Sequence, residues 1–207
     1  MRQSGLRQIF MAVAAAMLVM LFPCTGGAAE EGEVGSSVTK NQEDNEDNVQ
    51  EFGGREFNSE LYLTVVAKRL KDGERVTEMV GMTPGQVALW VPKCYWWAIS
   101  PLDSADEVDW QALIRVIKQK NVPGLTLPPD TTDDDLHHLE SIEKIQILNL
   151  NSTKVTDNGL AQLKDLNNLR TLVLRHTGIT DKGLQHLKKL EKLRRLDLSF
   201  TKVKGHE

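Results

Sequence analysis

Cysteine is scarce in this 207-residue chain. Cys24 and Cys94 are the only two, too few for a disulfide framework, so stability must come from an apolar core. Aromatic residues reach only 5%. A strong net charge is missing as well: 25 Lys and Arg against 29 Asp and Glu leave −4, with a pI near 5.8. That balance excludes a generally basic nucleic-acid binder. The longest unbroken apolar run, Ile9 to Phe22, has 14 residues; as a helix it would reach about 21 Å, short of a ~30 Å hydrocarbon core. Motifs that carry chemistry are lacking too. There is no nucleophile elbow, no phosphate-binding loop, no CxxC pair and no paired carboxylate on a helix face, so neither an enzyme nor a cofactor is expected.

Residues 1–29 combine Arg2 and Arg7, the apolar run, and a small-residue stretch ending at Ala29. These are the three parts of a secretory signal peptide, and they place the mature chain in the cell envelope, in the periplasm or secreted. Leu21-Phe22-Pro23-Cys24 also resembles a bacterial lipobox, although Phe22 and Pro23 stand where small residues are usual; on that reading Cys24 carries a lipid. Residues 30–55 open with EEGEVGSSVTKNQEDNEDNVQE, eight acids with one lysine and no aromatic. Such a segment has too little apolar surface to offset ordering entropy and reads as a disordered tether.

The second half is periodic. Blocks of equal length begin at Leu136, Leu160 and Leu184, and leucines coincide at 136/160/184, 139/163/187, 148/172/196 and 150/174/198. Ile142 and Ile145 align with Leu166/Leu190 and Leu169/Leu193, threonines recur at 153/177/201, and β-branched residues fall at 155/179/203. A degenerate copy lies upstream, at a spacing one residue shorter: Leu113, Val116, Val122, Leu125 and Leu127 match Leu136, Leu139, Ile145, Leu148 and Leu150. Internal repetition at this period means stacked supersecondary units.

The pattern L-x-x-L-x-L-x-x-T-x-[VI]-T-D-x-G-L resembles the leucine-rich repeat family. The nearest subtype is the bacterial repeat of about 24 residues related to the cysteine-containing class. The resemblance implies an α/β solenoid with short parallel strands inside and helices outside. Its repeats are 109–135 (degenerate), 136–159, 160–183 and 184–207. It further implies noncatalytic protein binding through a concave strand face, at Ile147, Asn149, Asn151, Thr171, Val173, Arg175, Arg195, Asp197 and Ser199, the positions alternating with the buried leucines. A protein partner is expected; an anionic glycan or a membrane surface is the alternative, and nucleic acid is not expected.

The residues themselves support the strand-turn-helix unit. Leucines two apart suit a strand with one face buried. Thr156-Asp157 and Thr180-Asp181 offer side-chain oxygens as helix N-caps before leucines at helical spacing. The Thr153/Thr177/Thr201 column predicts a hydroxyl ladder between adjacent coils. Asp133, Asp134, Asp135, His137 and His138 occupy a solvated helix entry rather than a metal site.

Residues 56–108 form a capping region. Ser59 before LYLTVVAKRL and Thr83-Pro84 before GQVALW read as helix starts, with a β-hairpin through Lys71-Asp72-Gly73-Glu74 as the alternative. The capping box from Ser104 to Glu107 predicts a helix burying Trp110, Leu113, Ile114 and Ile117. Trp90, Trp96, Trp97 and Trp110 cluster around Cys94 and Tyr95; a packed cap core is favoured over sugar stacking. Two surface features point outward. Between Leu160 and Lys204 there are eleven Lys or Arg and four acids, a face suited to an anionic partner. Leu196, Leu198 and Val203 form an apolar last coil that predicts self-association through the uncapped C-terminal edge.

Overall fold

The computed structural model describes residues 54–71, 74–85, 88–92, 94 and 96–205. The signal peptide (1–29) and nearly all of the tether (30–55) lie outside the described residues. Gly54 and Arg55 do not, and Arg55 already begins a strand.

The described residues between 54 and 101 form strands joined by short connections, not the mainly helical cap that the capping signals predict. β1 (Arg55–Phe57) pairs antiparallel with β4 (Leu89–Val91). β2 (Leu63–Lys71) lies between β3 (Glu74–Thr83) and β5 (Trp96–Pro101), antiparallel to both. The reason is burial on two sides. Leu63, Thr64, Val65, Val66 and Ala67 are all buried, which a central strand permits and an amphipathic helix does not. Three of these five are β-branched and stiff at χ1, a further bias to the pleat. Thr83, read as a helix cap, instead ends β3 and donates its hydroxyl to Leu61 O at 2.8 Å.

One helix of the N-terminal half is as expected, shifted at its start. Ser104 precedes a short 3-10 turn without a side-chain cap. Asp109 caps α1 (Trp110–Lys120), its carboxylate accepting from the Ala112 N–H at 2.9 Å. Trp110, Leu113 and Ile117 are buried, while Ile114 packs partly exposed at the edge.

From β5 the sheet becomes parallel: β6 (Gly124–Thr126), β7 (Ile147–Asn149), β8 (Thr171–Val173) and β9 (Arg195–Asp197) follow in order. Their registers are Gly124↔Ile147↔Thr171↔Arg195 and Leu125↔Leu148↔Leu172↔Leu196. Each short strand thus follows its predecessor by one repeat length, as the sequence period requires. Leu125, Leu148 and Leu172 are fully buried beneath them, and the returning leucines Leu136, Leu160, Leu163, Leu166 and Leu169 meet them from the helical side. The helical returns are short: a 3-10 run at Asp134–Ser141, α2 (Asp157–Leu160) and α3 (Leu184–Leu187). β5 pairs with β6 and covers the edge that β6 would otherwise expose, and β2 and β3 extend the sheet beyond it.

Two threonine columns exchange their expected roles. Thr153, Thr177 and Thr201 donate to Leu150 O, Leu174 O and Leu198 O, at 2.8, 2.5 and 2.7 Å. They therefore close the turn of their own coil and build no ladder between coils. The T-D pair does the reverse. Thr156 caps α2 without a side-chain bond to the helix. Its N–H and hydroxyl instead donate to Asp133 of the preceding coil, at 2.7 and 2.5 Å. Thr180 makes the same two bonds to Asp157, at 2.8 and 2.6 Å.

The glycine of T-D-x-G belongs to the same device. A Cβ on Gly159 would stand 3.1 Å from the Asp133 carboxyl carbon, and one on Gly183 would stand 3.1 Å from that of Asp157. The missing side chain makes room for the carboxylate arriving from the coil before. In the first coil no such carboxylate arrives, and Asp135 occupies the glycine's position. Its Oδ2 accepts from both the N–H and the hydroxyl of Thr132, each at 2.8 Å. At the other end Asp181 accepts from the N–H groups of Lys204 and Gly205, at 3.3 and 3.1 Å.

Candidate strand-face binding site

The register places Ile147, Thr171 and Arg195 in one row across β7, β8 and β9, and Asn149, Val173 and Asp197 in a second. Asn151, Arg175 and Ser199 follow two positions beyond. Pleating puts those on strands opposite the buried leucines. The six strand residues therefore share one side of the sheet, Asn151, Arg175 and Ser199 stand in the turns that follow, and the nine are not equally available. Asn149 is 1% exposed and Val173 7%, while Arg195 is exposed and the other six are intermediate.

Several of these side chains have local roles. Asn149 Oδ1 accepts from the Asn151 N–H at 3.0 Å, and Asp197 Oδ1 from the Ser199 N–H at 2.9 Å. Both are side chain-to-backbone turns that end a strand. Asn149 Nδ2 and Asn151 Oδ1 are buried without a hydrogen-bond partner. Arg175 extends over the ring of Phe200, its guanidinium carbon 4.9 Å from the centroid.

The sequence reading missed Phe200 and His176. Ser152, His176 and Phe200 recur once per repeat with φ of 60°, 54° and 58°, the left-handed region where side chains bearing a Cβ are disfavoured. The backbone needs the turn: Ser152 N–H donates to Arg175 O and His176 N–H to Ser199 O, at 2.8 and 3.0 Å. The His176 and Phe200 rings stack at 4.4 Å and 5°, with Phe200 67% exposed. The signal available was a column adjoining the repeated threonine that holds Ser, His and Phe instead of glycine or asparagine.

The remaining candidates resolve by burial. Trp97 is fully buried, edge-on to Phe57 at 5.4 Å, and Trp110 is largely buried, whereas Trp90 and Tyr62 are each 62% exposed. Cys94 is buried, which pushes its thiol pKa up, against a smaller opposing effect of Arg55. His138 stacks on Trp110 at 5.0 Å; burial, with His137 beside it, lowers its pKa against the pull of Asp135. Asp133 and Asp135 hold threonines as described, and among the described residues no group of three His, Cys, Asp or Glu is arranged to hold a metal.

A sheet of short parallel strands, one per repeat unit and backed by short helices, defines the class as a repeat solenoid. Residues 165–188, which take in β8 and the helical return after it as far as α3, match the family model described as Leucine Rich repeat. Among solved structures the chain is similar to the leucine-rich repeat ectodomain of the receptor kinase SOBIR1 from Arabidopsis thaliana. The identity is 15%, covering 69% of this chain and 83% of that one, with a TM-score of 0.27. No curated protein matches. The repeat match covers residues 165–188, and the parallel ladder from β6 to β9 is the same unit recurring on either side of it.

Proposed function

We propose that this is an exported, noncatalytic interaction protein that holds a protein partner on the strand face of its repeats. One observation carries the reading. From coil to coil the structural side chains repeat, buried leucines and the Asp–Thr bonds between coils alike, whereas the strand-face positions change: Ile147, Thr171, Arg195 in one row, Asn151, Arg175, Ser199 in another. Scaffold and variable surface are separated, as in repeat proteins that recognise through an extended face. The signal-peptide pattern ending at Ala29 supports export to the envelope or beyond.

The test is capture from an envelope fraction by the wild-type protein and by Arg175→Glu plus Arg195→Glu. A discrete protein retained by the first and lost by the second, with unchanged melting temperature, supports the reading. Equal capture by both sinks it.

A second reading has its own observation. Lys164, Lys182, Lys188, Lys189, Lys192, Arg194, Lys202 and Lys204 are all exposed, and Asp181 and Asp197 already accept backbone N–H groups. This surface suits an anionic glycan or membrane, and such binding would collapse at high salt, whereas strand-face capture of a protein would persist.

A further inference from the structure

Phe200 is placed at a double disadvantage for folding. Its ring is 67% exposed, and its backbone sits at φ 58°, where glycine or asparagine would be at ease. His176 repeats the arrangement one coil earlier at φ 54°. Folding gains little from such residues here, and strained positions of this kind gather at functional sites. The rim is nevertheless organised before any partner arrives: His176 lies flat on Phe200 and the Arg175 guanidinium approaches the same ring at 4.9 Å. Arginine is among the residues enriched where binding energy concentrates in protein interfaces, and an exposed aromatic ring beside it adds apolar area to bury.

In the sequence around the rim cations outnumber acids. Arg175 is joined by the exposed Lys202 and Lys204. The nearest acids in the sequence, Asp181 and Asp197, are held to the backbone by N–H groups of Lys204, Gly205 and Ser199, which leaves Arg175 as the charged group against the ring. The rim is also continuous with the candidate strand-face set, since Arg175 belongs to both and Ser199 adjoins Phe200 in the chain.

We propose that the rim of Arg175, His176 and Phe200 is a docking site for an acidic segment of a protein partner, one apolar or aromatic side chain stacking on Phe200 and an adjoining carboxylate meeting Arg175. The proposal rests on the strand-face reading and names the partner's chemistry.

The probe is the fluorescently labelled peptide Ac-EEFEE-NH2, titrated by anisotropy against the full chain. Saturable binding is expected, weakened about tenfold or more by Phe200→Asn and by Arg175→Gln. Phe200→Asn suits the left-handed backbone, so its melting temperature should equal or exceed that of wild type, and lost binding cannot be ascribed to unfolding. Three results overturn the proposal: no saturation at millimolar protein, equal binding by Phe200→Asn, or binding that appears only after Glu43, Asp44, Glu46 and Asp47 are neutralised. The last would make the chain's own acidic segment the occupant. If envelope capture fails with the Arg175→Glu, Arg195→Glu pair yet is untouched by Phe200→Asn, the strand-face reading stands and this proposal falls.

Discussion

Replacing Asp157 by Ala removes the carboxylate that ties one coil to the next. Two bonds are lost, from the N–H and hydroxyl of Thr180 at 2.8 and 2.6 Å. Hydrogen bonds to a charged group contribute about 1.5–3 kcal/mol each when buried. This pair is only partly buried, and water can reach the freed N–H, so the expected loss is about 2 kcal/mol in all. Gly183 turns this into a sharper test. It stands at the N-cap of α3 with φ −61° and ψ −33°, a conformation alanine adopts without strain, so the reduced freedom of the unfolded chain alone would gain about 0.4–1 kcal/mol. In the wild type that Cβ meets the Asp157 carboxyl group. Gly183→Ala must therefore push the carboxylate off Thr180, and a net loss of about 1–2 kcal/mol is expected. In an Asp157→Ala background the obstacle is gone. The contact left is the far end of Leu160, at 3.1 Å, which can yield by rotating. Gly183→Ala should then be neutral or stabilising, a reversal of sign with a coupling of about 2–3 kcal/mol. Urea unfolding followed by far-ultraviolet circular dichroism measures it, comparing midpoints at constant slope. Equal effects in both backgrounds would refute the account of the motif.

Thr177→Val deletes a buried hydroxyl bonded to Leu174 O, and the orphaned carbonyl should cost about 1–2 kcal/mol, read as a lowered melting temperature. His138 has its pKa depressed chiefly by burial, so the unfolded chain takes up the proton more readily. Stability is then full above the ordinary value of about 6.5 and falls as the pH drops below it. The melting temperature should decline between about pH 7 and pH 5, and His138→Gln should flatten that decline. In a Cys24→Ser background, Cys94 should resist iodoacetamide at neutral pH and react fully in denaturant, because burial raises its pKa; rapid alkylation of the native protein would contradict this.

The stacked coils were legible because burial enforces them. A leucine facing the interior has few substitutes, so Leu148, Leu172 and Leu196 announce both period and strand. The hairpin was not, for a related reason: with Leu63 through Ala67 all buried, alternation vanishes, and a short apolar run does not distinguish a two-sided strand from a buried helix. The T-D motif was seen as a column, but its bonds were assigned within the coil. Threonine and aspartate serve helix ends and neighbouring strands with the same atoms, and only the stacking distance decides between them. Of the nine candidate positions, the common side of the six on strands was readable from pleating. The burial of Asn149 and Val173 and the stacking beneath Arg175 depend on side-chain conformations that no spacing reveals.

The Asp–Thr bonds join Asp133 to Thr156 and Asp157 to Thr180, each spanning 23 residues. Separation along the chain between bonded groups thus stays constant however many units are added, so loop-closure entropy does not grow with the array. Each finished coil presents the carboxylate against which its successor can zip, and folding can advance one unit at a time from the hairpin outward.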